Sequence, residues 1–160
     1  MSYSSLAVAN GFLDLASKHT FKVPPMTNMK VQKLVYIAHG FTLAMCDGEP
    51  LISSHVHAFQ WGPVIPVLYE ALKKFGNNPV VGPIEMLPEV IPFDAQDSKA
   101  TESAIVRGTW DRYGTLSAAE LSNITHKEGT PWDLTWKSKP FGIIHNDVIR
   151  SHYIGLLQQT

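Results

Sequence analysis

Apolar residues recur at three- and four-residue spacing along most of this chain, and the runs are separated by abrupt breaks. From Ser4 to about His19, the residues Leu6, Ala9, Phe12, Leu13 and Ala16 share a helical spacing. Lys22-Val23-Pro24-Pro25 ends that run, because proline cannot continue a helix and restrains the residue before it. Thr27 is placed to cap a second helix that runs to about Met45. This helix carries two apolar stripes, one of Val31, Leu34, Val35, Ala38 and Met45, the other of Met29, Tyr36, Ile37, Gly40 and Leu43. A helix apolar on most of its circumference belongs at the centre of a fold. Its polar seam is narrow, with Asn28, Gln32 and His39 at spacings of four and seven.

Asp47-Gly48-Glu49-Pro50 reads as a turn. From Leu51 to Trp61 the period shortens, setting Val56, Ala58 and Gln60 opposite His55, His57, Phe59 and Trp61, which predicts one or two short strands. Gly62-Pro63-Val64-Ile65-Pro66 then starts a helix, with proline suited to its first turn; Val64, Val67, Leu68, Ala71 and Phe75 form the buried stripe and Gly76 the stop. Asn77 to Lys99 is irregular and proline-rich, long enough for a short strand or a functional loop. A helix near Ala100 to Tyr113 follows, stopped by Gly114. Ser117 and Glu120 form a capping box, with Leu116 and Leu121 as its hydrophobic staple. Thr130-Pro131 opens a short helix, and Asn146 caps a last one with the stripe Ile149, Tyr153, Leu156 and Leu157. The sum is an α+β fold, a mostly helical single domain over 1–160 with a small β-sheet or hairpin.

Composition narrows the function classes. Of 160 residues, 44% are apolar and 17% charged, which suits a packed interior and argues against disorder. The formal net charge of −1 argues against strong nucleic-acid binding, which draws most of its affinity from phosphate neutralisation. The lone Cys46 forms no intrachain disulfide and fits a reducing compartment. Met1 to Asn10 lacks a secretory-signal pattern, and no apolar run is long enough to span a membrane. The expected location is the cytoplasm.

No nucleophile motif, phosphate cradle or HExxH pattern occurs, so no catalytic residue and no cofactor is assigned. Cys46 ends an apolar helix and reads as a small core residue rather than a reactive thiolate. His55 and His57, two apart on a strand, share a face and are weak metal candidates that His126 and His145 would complete in three dimensions. Spacing alone does not decide that, so a histidine-held metal enzyme stays an alternative. Trp61, Trp110, Trp132 and Trp136 supply core or interface; Trp110 reads as core, while Trp132 and Trp136, four apart, fit either role.

The string Met29 to Gly40, read with Gln60 to Tyr69 and with Leu116-Ser117, Leu121-Ser122, Thr125-His126 and Pro131-Trp132, resembles the Panacea domain of SocA-like and phage-associated proteins. The ordered match extends from about Ser4 to Tyr153 and is more specific than any one piece. The resemblance implies an antitoxin of a type II toxin–antitoxin pair, bound directly to a cognate toxin encoded by an adjacent gene. One branch of the family instead acts as an adaptor that delivers its toxin to a bacterial protease, which is a second reading. No catalytic residue carries over. Gln32, Tyr36, Trp61, Tyr69, His126 and Trp132 carry over only as family-pattern positions. The expected partner-binding surface is the Gln60–Trp61 edge, the Pro66–Tyr69 helix start and the Thr125–Trp136 segment, with His126, Trp132 and Trp136 on the last.

Overall fold

A computed structural model describes residues 2–19 and 22–159. Its centre is the helix α2, Asn28–Met45, whose residues from Lys30 to Leu43 are all buried. The double apolar stripe dictates this position, since no face of such a helix is fit for water. Thr27 caps it as expected, its Oγ1 accepting from the Lys30 amide at 3.3 Å. Around α2 pack α1 (Ser5–Ser17), α3 (Pro66–Leu72), α4 (Thr101–Tyr113), α5 (Ala118–Thr125) and α7 (Asn146–Leu157). A further short helix, α6 (Pro131–Ser138), leans on β1, Val56–Phe59. With β2 (Gly62–Val64) and β3 (Ile143–Ile144), β1 makes a three-stranded antiparallel sheet in the order β2-β1-β3. The fold is α+β and mostly helical, as the sequence pattern predicts.

Alternation in β1 also follows the pattern, with Val56 and Ala58 buried and His57 and Phe59 half-buried on the other face. The capping box is formed: Ser117 Oγ accepts from the Glu120 amide at 3.1 Å and Glu120 Oε1 accepts from the Ser117 amide at 3.0 Å.

Two expectations, the helix start at Gly62 and the cap at Asn146, fail for identifiable reasons. Gly62 to Val64 is not the start of a helix but the strand β2, paired with β1 from His57↔Val64 to Phe59↔Gly62, so α3 begins only at Pro66. Its buried residues are Leu68 and Leu72; Val64 is half-buried in the strand and Val67 is exposed. Asn146 does not cap α7, whose cap position is His145. Its Oδ1 instead lies 3.1 Å from His39 Nε2. Since His39 Nδ1 accepts from the Ile52 amide at 3.5 Å, the proton sits on Nε2, which donates to Asn146. A long-range partner takes the side chain that local spacing would have assigned to a cap. Between Asn77 and Lys99 no strand forms among the described residues; the Val80 amide bonds to the Met26 carbonyl at 2.8 Å and ties this segment beside the start of α2.

Helix α7 approaches α2 where a side chain is missing. A Cβ on Gly40 would lie 2.4 Å from the ring of Tyr153, which is itself 3% exposed. Overpacking of this kind costs about 1–3 kcal/mol when the neighbour cannot yield. Gly40→Ala is therefore expected to lower the unfolding free energy near the top of that range, measured by urea denaturation. Ser117→Ala, at the exposed capping box, should lower it by about 1 kcal/mol.

Candidate partner-binding site

The β1–β2 hairpin, the start of α3 and the segment joining α6 to β3 converge on the N-terminal half of α2 and enclose a groove of about 640 Å³. Pairing of Phe59 with Gly62 leaves only Gln60 and Trp61 in the hairpin loop. So tight a loop projects its side chains outward, and Trp61 is 67% exposed. Gly62 holds φ +127°, a value that favours glycine, and a Cβ there would lie 3.1 Å from Lys33 Nζ. The hairpin tip is pinned to α5 by Ser122 Oγ, which donates to the Trp61 carbonyl at 3.1 Å.

Aromatic rings back the hairpin. The Trp132 indole N–H donates to the Phe59 carbonyl at 2.6 Å, and Trp136 stacks on Trp132 at 5.8 Å with an interplanar angle of 12°. Phe141 stands edge-on to Trp136 at 5.2 Å and to Phe59 at 5.7 Å. His126 meets Trp132 edge-on at 5.5 Å, and its Nδ1 bonds to the Ser122 carbonyl. Phe141 holds φ +64°, a strained conformation for a bulky residue. Its amide donates to the Ala58 carbonyl at 2.8 Å and its carbonyl accepts from His57 Nδ1 at 3.0 Å, so β1 clamps it from both sides. The ring is left 56% exposed at the groove edge.

The floor is polar and comes from α2. Gln32 Oε1 accepts from the Ile65 amide at 2.9 Å, and Gln32 Nε2 donates to Asn28 Oδ1 at 3.2 Å. Asn28 Nδ2 donates to the Tyr69 carbonyl at 3.4 Å, and Lys33 Nζ donates to the Pro63 carbonyl at 2.8 Å. Lys33 is 2% exposed, and loss of hydration lowers its pKa to about 7.

Of the positions the sequence singles out, Gln60, Trp61 and Tyr69 line this groove, and Pro66 is half-buried at the first turn of α3 above it. Trp132 does not reach the surface: it is 8% exposed and serves as the hairpin's support, with half-buried Trp136 and His126 beside it. Gln32 is on the floor, whereas Tyr36 is wholly in the core against Tyr153. Met29 and Phe141 complete the rim, and sequence pattern points to neither as a binding residue. For Met29 the helical stripe suggests core, and the exposure of Phe141 depends on a backbone strain that no periodicity encodes. His57 is engaged with Phe141, His55 and His145 are exposed, and among the described residues no three His, Cys, Asp or Glu side chains are grouped to hold a metal. Burial, with Glu102 adding to it, pushes the Cys46 thiol up, opposite to an activated thiolate. No helix among the described residues is long and apolar enough to cross a membrane.

Comparison with known proteins agrees with this geometry in extent. The family model described as antitoxin SocA-like, Panacea domain, matches residues 31–133, which include Gln32 and Lys33 of the floor, the hairpin, α3 and Trp132. Antitoxin SocA of Caulobacter vibrioides (strain NA1000 / CB15N) is 31% identical over 138 residues, covering 83% of this chain and 70% of that protein. No solved structure matches significantly.

The buried lysine makes stability depend on pH. The unfolded chain holds the Lys33 proton up to about pH 10.5 and the folded chain only to about 7, so the unfolded state binds more protons between them. Stability therefore rises as pH is raised through that window, by at most about 1.4 kcal/mol per unit from this group. Lys30, lowered by burial to about 8, adds to the rise at its upper end. Unfolding free energies measured from pH 7 to 9 should show a steeper increase for the native chain than for Lys33→Met.

Proposed function

The chain belongs to the SocA-like antitoxin family built on the Panacea domain, and from that premise we propose that it neutralises a toxin by binding it directly, as the antitoxin of a type II pair encoded beside its toxin. The observation that carries this reading is the rim of the groove: Met29 at 44%, Tyr69 at 39%, and the more exposed Trp61 and Phe141 gather round one concavity. Large apolar side chains left in water around a cleft mark an interaction site, and tryptophan and tyrosine dominate binding hot spots. The mechanism is occlusion, in which the rim covers the toxin's working surface while the stiff aromatic backing holds the hairpin backbone that carries Trp61 and so lowers the ordering cost of binding. The protein acts by binding and not by catalysis, in the cytoplasm, and a net charge of −1 suits a protein partner better than DNA.

The test is co-expression with the product of the adjacent gene, followed by growth scoring and co-purification. Arrest by the neighbour alone, relieved by this protein with a stable complex recovered, is the expected result. Trp61→Ala should weaken that complex at least tenfold, about 1.4 kcal/mol or more. Relief with the neighbour disappearing from the lysate would point instead to delivery to a protease. A harmless neighbour and no complex would overturn the antitoxin reading.

A further inference from the structure

The groove holds something that a plain apolar docking surface does not: a buried cation with unused hydrogen-bonding capacity, and no Asp or Glu on its lining. We propose that the groove reads a carboxylate, taking an Asp or Glu side chain from an apolar segment of the partner toxin, with the acid on Lys33 and its neighbours against Trp61, Tyr69 and Phe141. The identity of the partner rests on the antitoxin reading; the chemistry of the site does not.

Lys33 Nζ donates to one acceptor, the Pro63 carbonyl, whereas an ammonium offers three donors. Its floor neighbours differ in kind, because the Asn28 and Gln32 amides are neutral and each already spends an N–H, on the Tyr69 carbonyl and on Asn28 Oδ1, while Gln32 Oε1 is taken by the Ile65 amide. A cation taken from water with one neutral acceptor is poorly compensated, so Lys33 keeps its proton only to about pH 7 until an anion arrives beside it. A carboxylate arriving from a partner supplies both the missing charge and short charge-assisted bonds. Lys73 on the rim adds a second positive charge of the same sign. Chain-terminal carboxylates are captured by nests of consecutive free backbone N–H groups, whereas the charged donor here is the Lys33 side chain, and the Ile65 amide is already held by Gln32, so the site is assigned to an acidic side chain. The aromatic walls require that the acid be set among apolar residues.

The direct test titrates full-length protein at pH 6, where both Lys33 and the ligand acid are charged, with 3-phenylpropionate and, separately, with 3-phenylpropionamide, reading backbone and indole signals by NMR. The acid should bind at least tenfold more tightly than the amide, shift the Trp61 indole signal, and lose that advantage in Lys33→Met. Equal binding of acid and amide to the native chain, or shifts that fall away from the groove, would overturn the proposal whether or not the variant folds. In the toxin complex, Lys33→Met should weaken binding at least tenfold, while Leu87→Ala, an exposed apolar residue outside the groove, should leave it unchanged. A complex that forms equally well with Lys33→Met sinks the carboxylate site and leaves the antitoxin reading standing. A neighbour that is neither toxic nor bound removes that reading, and the phenylpropionate pair then decides the site alone.

Discussion

Helix α2 is buried along nearly its whole length, yet it carries amide, imidazole and ammonium groups into that interior. Each of them reaches the main chain of another segment. Asn28 meets the Tyr69 carbonyl, Gln32 the Ile65 amide, Lys33 the Pro63 carbonyl, Lys30 the Gly114 carbonyl at 2.6 Å, and His39 the Ile52 amide. An unsatisfied buried polar group costs about 1–3 kcal/mol, so these bonds act in both directions. They make burial of α2 tolerable, and they fix the irregular backbone that runs from β1 through β2 to α3. That stretch has too few ladder bonds to define its own path, since β2 is three residues long and includes a proline. The helix therefore serves as the template on which the hairpin and the start of α3 are set, and the groove is the space left between template and hairpin.

The exposed anchors depend on this arrangement at one remove. Trp61 sits in a two-residue loop whose ends are held by β1 pairing and by Ser122. Beneath it the hairpin rests on the Trp132 indole, and Trp132 rests on Trp136. Stacked and edge-on rings contribute about 0.5–1.5 kcal/mol each beyond their burial, enough to hold a strained Phe141 in the left-handed region, where strain of order 1–3 kcal/mol must be offset. Backing and rim share Phe141, whose ring packs on Trp136 and Phe59 and is also exposed, but are otherwise different residues. Substitution of Met29 or Trp61 would change what the surface fits without removing a side-chain bond that holds the fold.

Features set by neighbours along the chain are legible in the amino-acid sequence alone. Thr27, Ser117 with Glu120, and Thr130 act within three residues, and all three helix starts form as their spacing implies. The central place of α2 is legible as well, because a doubly striped helix has few alternatives. Features set by distant chain are not. Gly62-Pro63-Val64 carries a local signal for a helix start, but β1 claims it as a strand, and pairing across a hairpin outweighs the preference of three residues. Asn146 has an ideal capping side chain that His39, more than a hundred residues away in sequence, takes first. For the site, residue type and motif suffice to find Trp61 and Tyr69, whereas they do not tell Trp132 from an exposed anchor. The deciding fact, its indole N–H on the Phe59 carbonyl, is a contact between elements 73 residues apart.

In the sequence Lys33 is only one member of a helical string, because a lysine inside an apolar pattern is ordinarily a solvated interruption. Its burial is the point at which local pattern and tertiary structure differ most. A methionine would fill the same space without the cost of desolvating a charge, so packing gives no reason for a lysine there. The hydrogen bond to Pro63 is a partial reason, since it satisfies one carbonyl of a strand that lacks a partner on that side. It does not account for the remaining N–H capacity, nor for the lack of acid around it. Stability set aside at one buried position, beside exposed aromatic residues and inside a cleft, is the pattern expected where a fold gives up free energy for binding. On that argument the floor of the groove and its rim belong to one site, with the rim providing adhesion and the buried ammonium providing discrimination among the segments that can adhere.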